Sequence, residues 1–398
     1  MYKPASLANR IHAHVRKGIA MFKLFRNAEV YAPSCLGKKD VLTCCDKIIA
    51  IEDNINFTLE QKIDVIDCND MYLFPGFIDL HVHITGGGGE GSYTTRTKEV
   101  VAEDLLSYGV TTVVGVLGAD GVTRSMANLF AKAKQLEQEG MSSYIYTGAY
   151  QVPVPTITGN VQTDMIFVDK VIGVGEICIE DNRSFEPTFD ELSRLAAQVR
   201  NGALISGKAG LVHFHLGAGG RRLDKLFELV QKTEIPKKQF LPTHVNRTKR
   251  LFEHALEYLQ IGGYIDLTAG FIPDENDTEC IPTYDAIKII IDKGLDLEHV
   301  TMSSDANGSV PVFDESGNVI SSETVSSKIL FEEIRDAIQK NNIPIEDAIS
   351  IIRKNAATML RIDKVKGTIE VGKHADFVLC DKQLNICEVY AMGKKFEA

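Results

Sequence analysis

Two histidines one residue apart, His81-Val-His83, stand where an apolar run over residues 73–78 gives way to four consecutive glycines, 86–89, and then Glu90. The run reads as a buried strand and the glycines as the loop that ends it. Side chains two apart on a strand share a face, so both imidazoles leave on one side with their roots about 6.6 Å apart. Such a pair can offer two nitrogens to one metal ion, at the roughly 2.0–2.1 Å that zinc and similar borderline metals take. A motif this short is more often structural than ligating, so its meaning depends on what else reaches the same place.

The elements that would bring partners there are written in the middle of the chain. Apolar, β-branched runs at 77–83, 111–117, 143–148, 171–177, 211–216, 240–245, 264–268 and 300–304 alternate with amphipathic helical patterns. The helical patterns lie near 97–109, 124–139, 188–201, 222–233, 248–261, 281–293, 323–340 and 345–360. That alternation predicts βα units on a parallel sheet. Eight units predict an α/β fold, a (β/α)8 TIM-type barrel over residues 75–366. Short β-rich pieces lead up to it from Phe22, and the same texture returns at 367–372, 375–380 and 386–393. The two ends, 21–74 and 367–398, are therefore expected to form one small β-sandwich domain. Residues 1–20 carry basic but no acidic side chains and are expected to be an N-terminal extension outside the fold.

In a barrel of this kind the chemistry sits at the C-terminal strand ends. Those ends hold His81 and His83 on the first strand, Glu176 on the fourth (Val171-Ile-Gly-Val-Gly-Glu176) and His213-Phe-His215 on the fifth. His244 follows on the sixth (Pro242-Thr-His244) and Asp305 after the eighth (Ser303-Ser304-Asp305). Singly, each has an ordinary explanation: a hydrogen-bonded histidine, or an aspartate capping a helix. Together they make a metal-ligand set of imidazoles and carboxylates. His213 and His215 point the same way, so spacing does not choose between them.

Pro75-Gly76-Phe77-Ile78-Asp79 ahead of the histidine pair resembles the first barrel strand of the amidohydrolase superfamily, and the glycine loop ending in Glu90 is similar to that of its beta-aspartyl (isoaspartyl) dipeptidases. Segments 147–153, 241–247 and 303–309 carry further specific matches, and Gly372-Lys-His-Ala-Asp-Phe-Val-Leu resembles the closing motif. The resemblance implies hydrolysis of beta-aspartyl dipeptides by a water clamped between two divalent ions, with zinc the expected metal. His81, His83, Glu176, His215, His244 and Asp305 would be the ligands; the resemblance thus selects His215 over His213. Asp305 would also carry the water's proton to the leaving amine, and Tyr150 would steady the developing oxyanion. Glu90, Gly88, Arg183, Arg247 and Ser309 would bind the substrate, the acid facing a free α-amino group and the guanidiniums facing carboxylates. A homo-oligomer, as large as an octamer, is implied as well.

Two positions depart from the resembled pattern. Several relatives carry a carbamylated lysine where this chain has Glu176, which bears the same charge on a shorter side chain. The backbone must then sit nearer the metals or the bridge must differ; Glu180 and Asp181 are the reserve ligands, and a single-metal site is the alternative. At Ala119 a hydroxyl residue is expected.

With 43 basic and 54 acidic residues among 398, the formal net charge of −11 disfavours nucleic acid as a partner. No apolar run approaches a membrane span, and no secretory signal is found. The eight cysteines include no Cys-x-x-Cys pair and read as free thiols in a reducing cytoplasm. Three rivals use the same scaffold: a cyclic amidase of the hydantoinase or dihydroorotase kind, an N-acetyl amino-sugar deacetylase, and a catalytically silent barrel serving as an assembly subunit. A neutral ring would leave Glu90, Arg183 and Arg247 without partners, and a silent barrel commonly lacks several of the ligands present here.

Overall fold

A computed structural model describes residues 21–56, 63–273, 278–313 and 319–397, so the expected N-terminal extension lies outside the described residues. The chain enters through five strands, β1 (Phe22–Tyr31), β2 (Cys35–Cys44), β3 (Lys47–Glu52), β4 (Ile63–Asp67) and β5 (Tyr72–Pro75). Eight more follow: β6 (Phe77–Val82), β7 (Val110–Gly115), β8 (Ser142–Thr147), β9 (Val171–Ile179), β10 (Leu211–Leu216), β11 (Phe240–Thr243), β12 (Ile265–Thr268) and β13 (Val300–Ser303). Strands β6 to β11 are consecutive parallel neighbours, and β12 pairs with β13 in parallel. The hydroxyl of Thr243 on β11 donates to Asp266 on β12 at 2.7 Å. The far edge returns to β6 through a parallel bridge between Val82 and Ala306, with the His83 N–H on the Ala306 carbonyl at 2.9 Å. Except for β8, these strands are buried at every position, as a parallel sheet covered on both faces requires. The result is a TIM-like barrel.

Its outer layer is formed by α1 (Ala102–Leu106), α2 (Met126–Gln138), α3 (Val161–Phe167), α4 (Phe189–Ser206), α5 (Asp224–Lys232), α6 (Lys249–Gln260), α7 (Thr283–Asp292), α8 (Ile329–Gln339), α9 (Ile345–Ser350) and α10 (Lys354–Met359). Several begin where a side-chain oxygen satisfies a free N–H of the first turn: Ser125 for α2, Thr248 for α6, and Thr188 with Glu191 in a reciprocal capping box for α4. Leu129, Leu136, Leu195, Val199, Phe252, Leu256 and Ile287 turn inward onto strand residues such as Val113, Val174 and Phe214 in one apolar core. The other strand faces contribute Ile78, Leu80, Val114, Val116, Leu211 and Leu241 to a separate cluster that packs on α10.

Four expected elements differ from those observed. The first helix is confined to 102–106, because the chain before it is drawn against the glycine loop, with the Thr97 N–H on the Gly87 carbonyl at 3.0 Å. Residues 319–324 are strand β15 (Val319–Thr324), paired antiparallel with β14 (Ser309–Phe313), so the helix expected from 323 starts at Ile329. The segment expected as helix over 345–360 is two helices, interrupted around Arg353. Residues 367–372 form turns rather than a strand, between two glycines of positive φ.

After the barrel, β16 (Phe377–Cys380), β17 (Ile386–Ala391) and β18 (Lys394–Lys395) join β5 and the N-terminal strands in one sheet, ordered β18-β17-β16-β5-β1-β2-β3 with β4 on β1. Phe25 from one chain end meets Phe377 and Tyr390 from the other edge-on, at ring-centroid distances of 5.0 and 4.8 Å. The fully buried Arg353 ties barrel to sheet: its guanidinium donates to the carbonyls of Tyr31 and Pro33. Removing it would strand buried acceptors, which costs about 1–3 kcal/mol. Arg353→Leu is therefore expected to lower the thermal unfolding midpoint while leaving turnover of the folded fraction unchanged, as calorimetry and activity at a permissive temperature will test.

Candidate metal centre and substrate cavity

Strand β9 brings Glu176 to the centre by a bulge. Val174 faces Val212 and Ile177 faces Phe214, so two residues, Gly175 and Glu176, stand against His213 alone. A bulge inserts one extra residue, bends its strand and re-aims a side chain. Glycine is required for it: at Gly175, where φ is +154°, a Cβ would lie 2.7 Å from His213 Cβ and 2.8 Å from its carbonyl oxygen. The close approach of β9 to β10 lets a side chain shorter than a carbamylated lysine reach the centre.

Glu176 then faces histidines with both oxygens. Its Oε1 lies 3.3 Å from His81 Nε2 and 3.6 Å from His83 Nε2; its Oε2 lies 3.1 Å from His215 Nδ1 and 3.8 Å from His244 Nε2. Asp305 closes the first group, with Oδ1 at 3.4 Å from His81 Nε2 and 3.0 Å from His83 Nε2. All four imidazoles and Glu176 are buried, whereas the Asp305 side chain is 26% exposed and so reachable from the cavity. His83 fits because Gly118 has no side chain: a Cβ there would stand 2.4 Å from the ring.

Hydrogen bonds behind the ligands orient them. His213 Nδ1 faces the Leu241 carbonyl at 3.2 Å and its Nε2 faces His81 Nδ1 at 2.9 Å. With the His213 proton on Nδ1, its Nε2 accepts from His81 Nδ1–H, and the His81 Nε2 lone pair is left facing the centre. His244 Nδ1 rests on the Thr268 hydroxyl at 2.8 Å, turning its own Nε2 the same way. Burial holds His213 well below the usual imidazole value, helped by His81, and lowers His244 to about 3, so both stay neutral. Burial also opposes charge on His81, but Glu176 and Asp305 outweigh it and raise that imidazole to about 9. The centre thus favours positive charge.

This donor set fits divalent metal. His81 Nε2, His244 Nε2, Glu176 Oε1 and Asp305 Oδ1 are buried without a hydrogen-bond partner, and their residues fall into two close groups that share His81: His81 with His83 and Asp305, and His81 with Glu176 and His244. Converging unpartnered lone pairs are costly unless a cation satisfies them. Imidazole and carboxylate ligands together suit zinc-like ions.

A cavity of about 1100 Å³ opens over this centre. Tyr150 lines it, with its hydroxyl 2.8 Å from His215 Nδ1; burial and Glu176 raise the phenol well above its ordinary value, so it keeps its proton. Gly88, Glu90, Arg183, Arg247 and Ser309 line the same cavity. Arg183 Nη1 lies 3.1 Å from Glu90 Oε1, and the Ser309 hydroxyl is 3.4 Å from Glu90 Oε2. Arg247 donates through Nε to the Leu216 carbonyl at 3.1 Å and lies 5.1 Å over the Phe271 ring. Ala119, the expected hydroxyl position, also faces the cavity. Of the reserve ligands, Glu180 turns to Arg221 at 3.2 Å and Asp181 to Arg183 and to His215 Nε2, so neither aims at the centre. His213 is hydrogen-bonded inside the barrel, as expected of the histidine not selected as a ligand, whereas Phe271 escaped the sequence reading, since nothing in residue type or spacing marks it.

An amidohydrolase family model matches residues 257–391. A beta-aspartyl dipeptidase from Fervidobacterium islandicum AW-1, solved in complex with a beta-Asp-Leu dipeptide, is 44% identical, with a TM-score of 0.88 over 94% of this chain and 96% of that one. The chain belongs to the beta-aspartyl dipeptidases of the amidohydrolase superfamily. More distant likenesses show the fold alone, as with the N-acetylglucosamine-6-phosphate deacetylase of Pasteurella multocida at 16% identity and a TM-score of 0.65 over 95% of this chain and all of that one. Among curated relatives, a dihydroorotase from Pediococcus pentosaceus is 32% identical over 119 residues, which span 29% of this chain but only 26% of the relative's length. An adenine deaminase from Clostridium perfringens is 24% identical over 90% of this chain and 55% of its own length. In this dipeptidase-family chain, Glu176→Gln removes the charge that faces both histidine pairs. It is expected to lower the metal bound per chain by at least one ion, as elemental analysis after dialysis will measure; unchanged stoichiometry would remove Glu176 from the centre.

Proposed function

We propose that this chain is a metal-dependent dipeptidase that hydrolyses beta-aspartyl dipeptides, with His81, His83, Glu176, His215, His244 and Asp305 holding two divalent ions, zinc the preferred pair. The observation that carries the reading is the pairing of Glu90 with Arg183 on the wall of the cavity that also contains Asp305, Tyr150 and Arg247. A beta-aspartyl dipeptide has one free ammonium and two carboxylates, and these side chains offer one acid and two guanidiniums. The 44% identical neighbour, solved with beta-Asp-Leu, supports the same substrate class.

Bound metal ions would supply Lewis acidity and a water of lowered pKa. The chain's own groups do the rest. Glu90 takes the α-amino group, assisted by the Ser309 hydroxyl and by backbone at Gly88. Arg183, through Nη1, and Arg247 take the carboxylates by charge-assisted hydrogen bonds. Tyr150, held protonated, donates to the oxygen on which charge develops. Asp305, reachable from the cavity, accepts the proton of the attacking water and returns it to the leaving amine.

The same reading divides the chain into an extension (1–20), a small β-sandwich domain (21–74 with 367–398) and the catalytic barrel (75–366), in a cytoplasmic homo-oligomer. In support, alternate residues of β1 and β2 feed different apolar clusters, Phe25 and Val41 one, Leu24 and Leu42 another. No helix among the described residues is long and apolar enough to cross a membrane.

With zinc-reconstituted protein, beta-Asp-Leu is expected to be cleaved while alpha-Asp-Leu and dihydroorotate are left intact. Ring opening of dihydroorotate would overturn the charged-pocket argument. Asp305→Asn is expected to lower kcat on beta-Asp-Leu by about 10²-fold or more. Steady-state kinetics beside metal analysis will separate that loss from loss of metal.

A further inference from the structure

Asp181, just past β9, touches two groups with different duties. Its Oδ1 accepts from the Arg183 backbone N–H at 2.9 Å and from Arg183 Nε at 2.8 Å; its Oδ2 accepts from Arg183 Nη2 at 2.9 Å. The same Oδ2 lies 3.2 Å from His215 Nε2. The other nitrogen of that ring, Nδ1, lies 2.8 Å from the Tyr150 hydroxyl and 3.1 Å from Glu176 Oε2.

Two tautomers of His215 satisfy these distances. With the proton on Nδ1, the ring donates to Glu176 and its Nε2 accepts from Arg183 Nη2 at 3.1 Å, leaving no lone pair for a metal. With the proton on Nε2, the ring donates to Asp181 and its Nδ1 lone pair faces the centre, where it accepts from the Tyr150 hydroxyl until a cation takes it and frees that hydroxyl for the substrate. Arg183 Nη2 already has Asp181 as its acceptor, so it does not need His215.

We propose that Asp181 is a positioning residue that selects the second tautomer and, with the same carboxylate, locks the Arg183 guanidinium so that Nη1 is the nitrogen presented to the cavity. One side chain thereby couples a metal ligand to a substrate clamp. Asp181, His215 and Cys178 also have ligand atoms close enough together to suggest a separate metal site. Both Asp181 oxygens are engaged by Arg183, however, and burial holds the Cys178 thiol above its ordinary value, so the positioning role fits the contacts better.

The inference rests on the metal-dependent reading above, so zinc binding is measured on its own. The wild type, Asp181→Asn, Asp181→Ser and Arg183→Lys are compared in zinc affinity by chelator competition and in kcat and KM on beta-Asp-Leu. Both Asp181 variants are expected to bind zinc about 10–100-fold more weakly and to show a raised KM once saturated with metal. Arg183→Lys is expected to raise KM while keeping wild-type zinc affinity. Wild-type zinc affinity in whichever Asp181 variant folds would overturn the proposal, as would an equal loss of zinc in Arg183→Lys, which would place the effect on the arginine. A wild type that binds no zinc or leaves beta-Asp-Leu intact would remove the functional reading itself.

Discussion

Buried lone pairs that face one another repel, and the mouth of this barrel is built around such a meeting. Glu176 turns one oxygen to His81 and His83 and the other to His215 and His244, with Asp305 beside the first pair. Taken out of water without compensation, these groups would destabilise the fold they sit in, because unpaired polar atoms in a low dielectric lose several kcal/mol of hydration each. A cation at the centre turns the same convergence from a cost into an attraction. Folding and metal affinity are therefore linked, since each ion bound by the folded state stabilises it by mass action.

The scaffold holds that meeting in place by hydrogen bonds running along the strands. The Leu241 carbonyl sets His213, and His213 sets His81; Thr268 sets His244. One layer deeper, Asp266 accepts from Thr243, Thr301 and Ser303, tying β11, β12 and β13 together beneath the ligands. The orientation of these side chains is thus a property of neighbouring strands, and small shifts between strands would be felt at the centre.

Much of this was legible in the residues. Runs of β-branched and apolar side chains marked all eight barrel strands to within a few residues, because both faces of such strands are buried; β12 and β13 alternate apolar with polar residues, and there the buried polar groups bond to one another, Thr301 and Ser303 to Asp266. The strand-end histidines and carboxylates followed from that count. What the sequence hid was set by contacts between distant segments. The bulge at Gly175-Glu176 is visible only as two residues standing against His213. The β14–β15 hairpin, with Val310 opposite Glu323, carries too few apolar side chains in alternation to separate it from the helix that follows. Arg353 breaks a helical pattern that periodicity alone would continue, because its guanidinium is needed by carbonyls more than 300 residues away in sequence. His213 and His215 share a face; only the partner each meets, His81 or Glu176, tells them apart.

The cavity above the centre, at about 1100 Å³, is at the upper end of the roughly 300–1000 Å³ common for small-ligand pockets. A space of that size leaves room around a small ligand. Discrimination then falls to charge placed at fixed points, and the short stretch of wall at Ala218, Gly219 and Gly220 carries no charged side chain. A change of side chain there would reshape the outer wall of the cavity while leaving Glu176, Asp305 and the four histidines around them untouched.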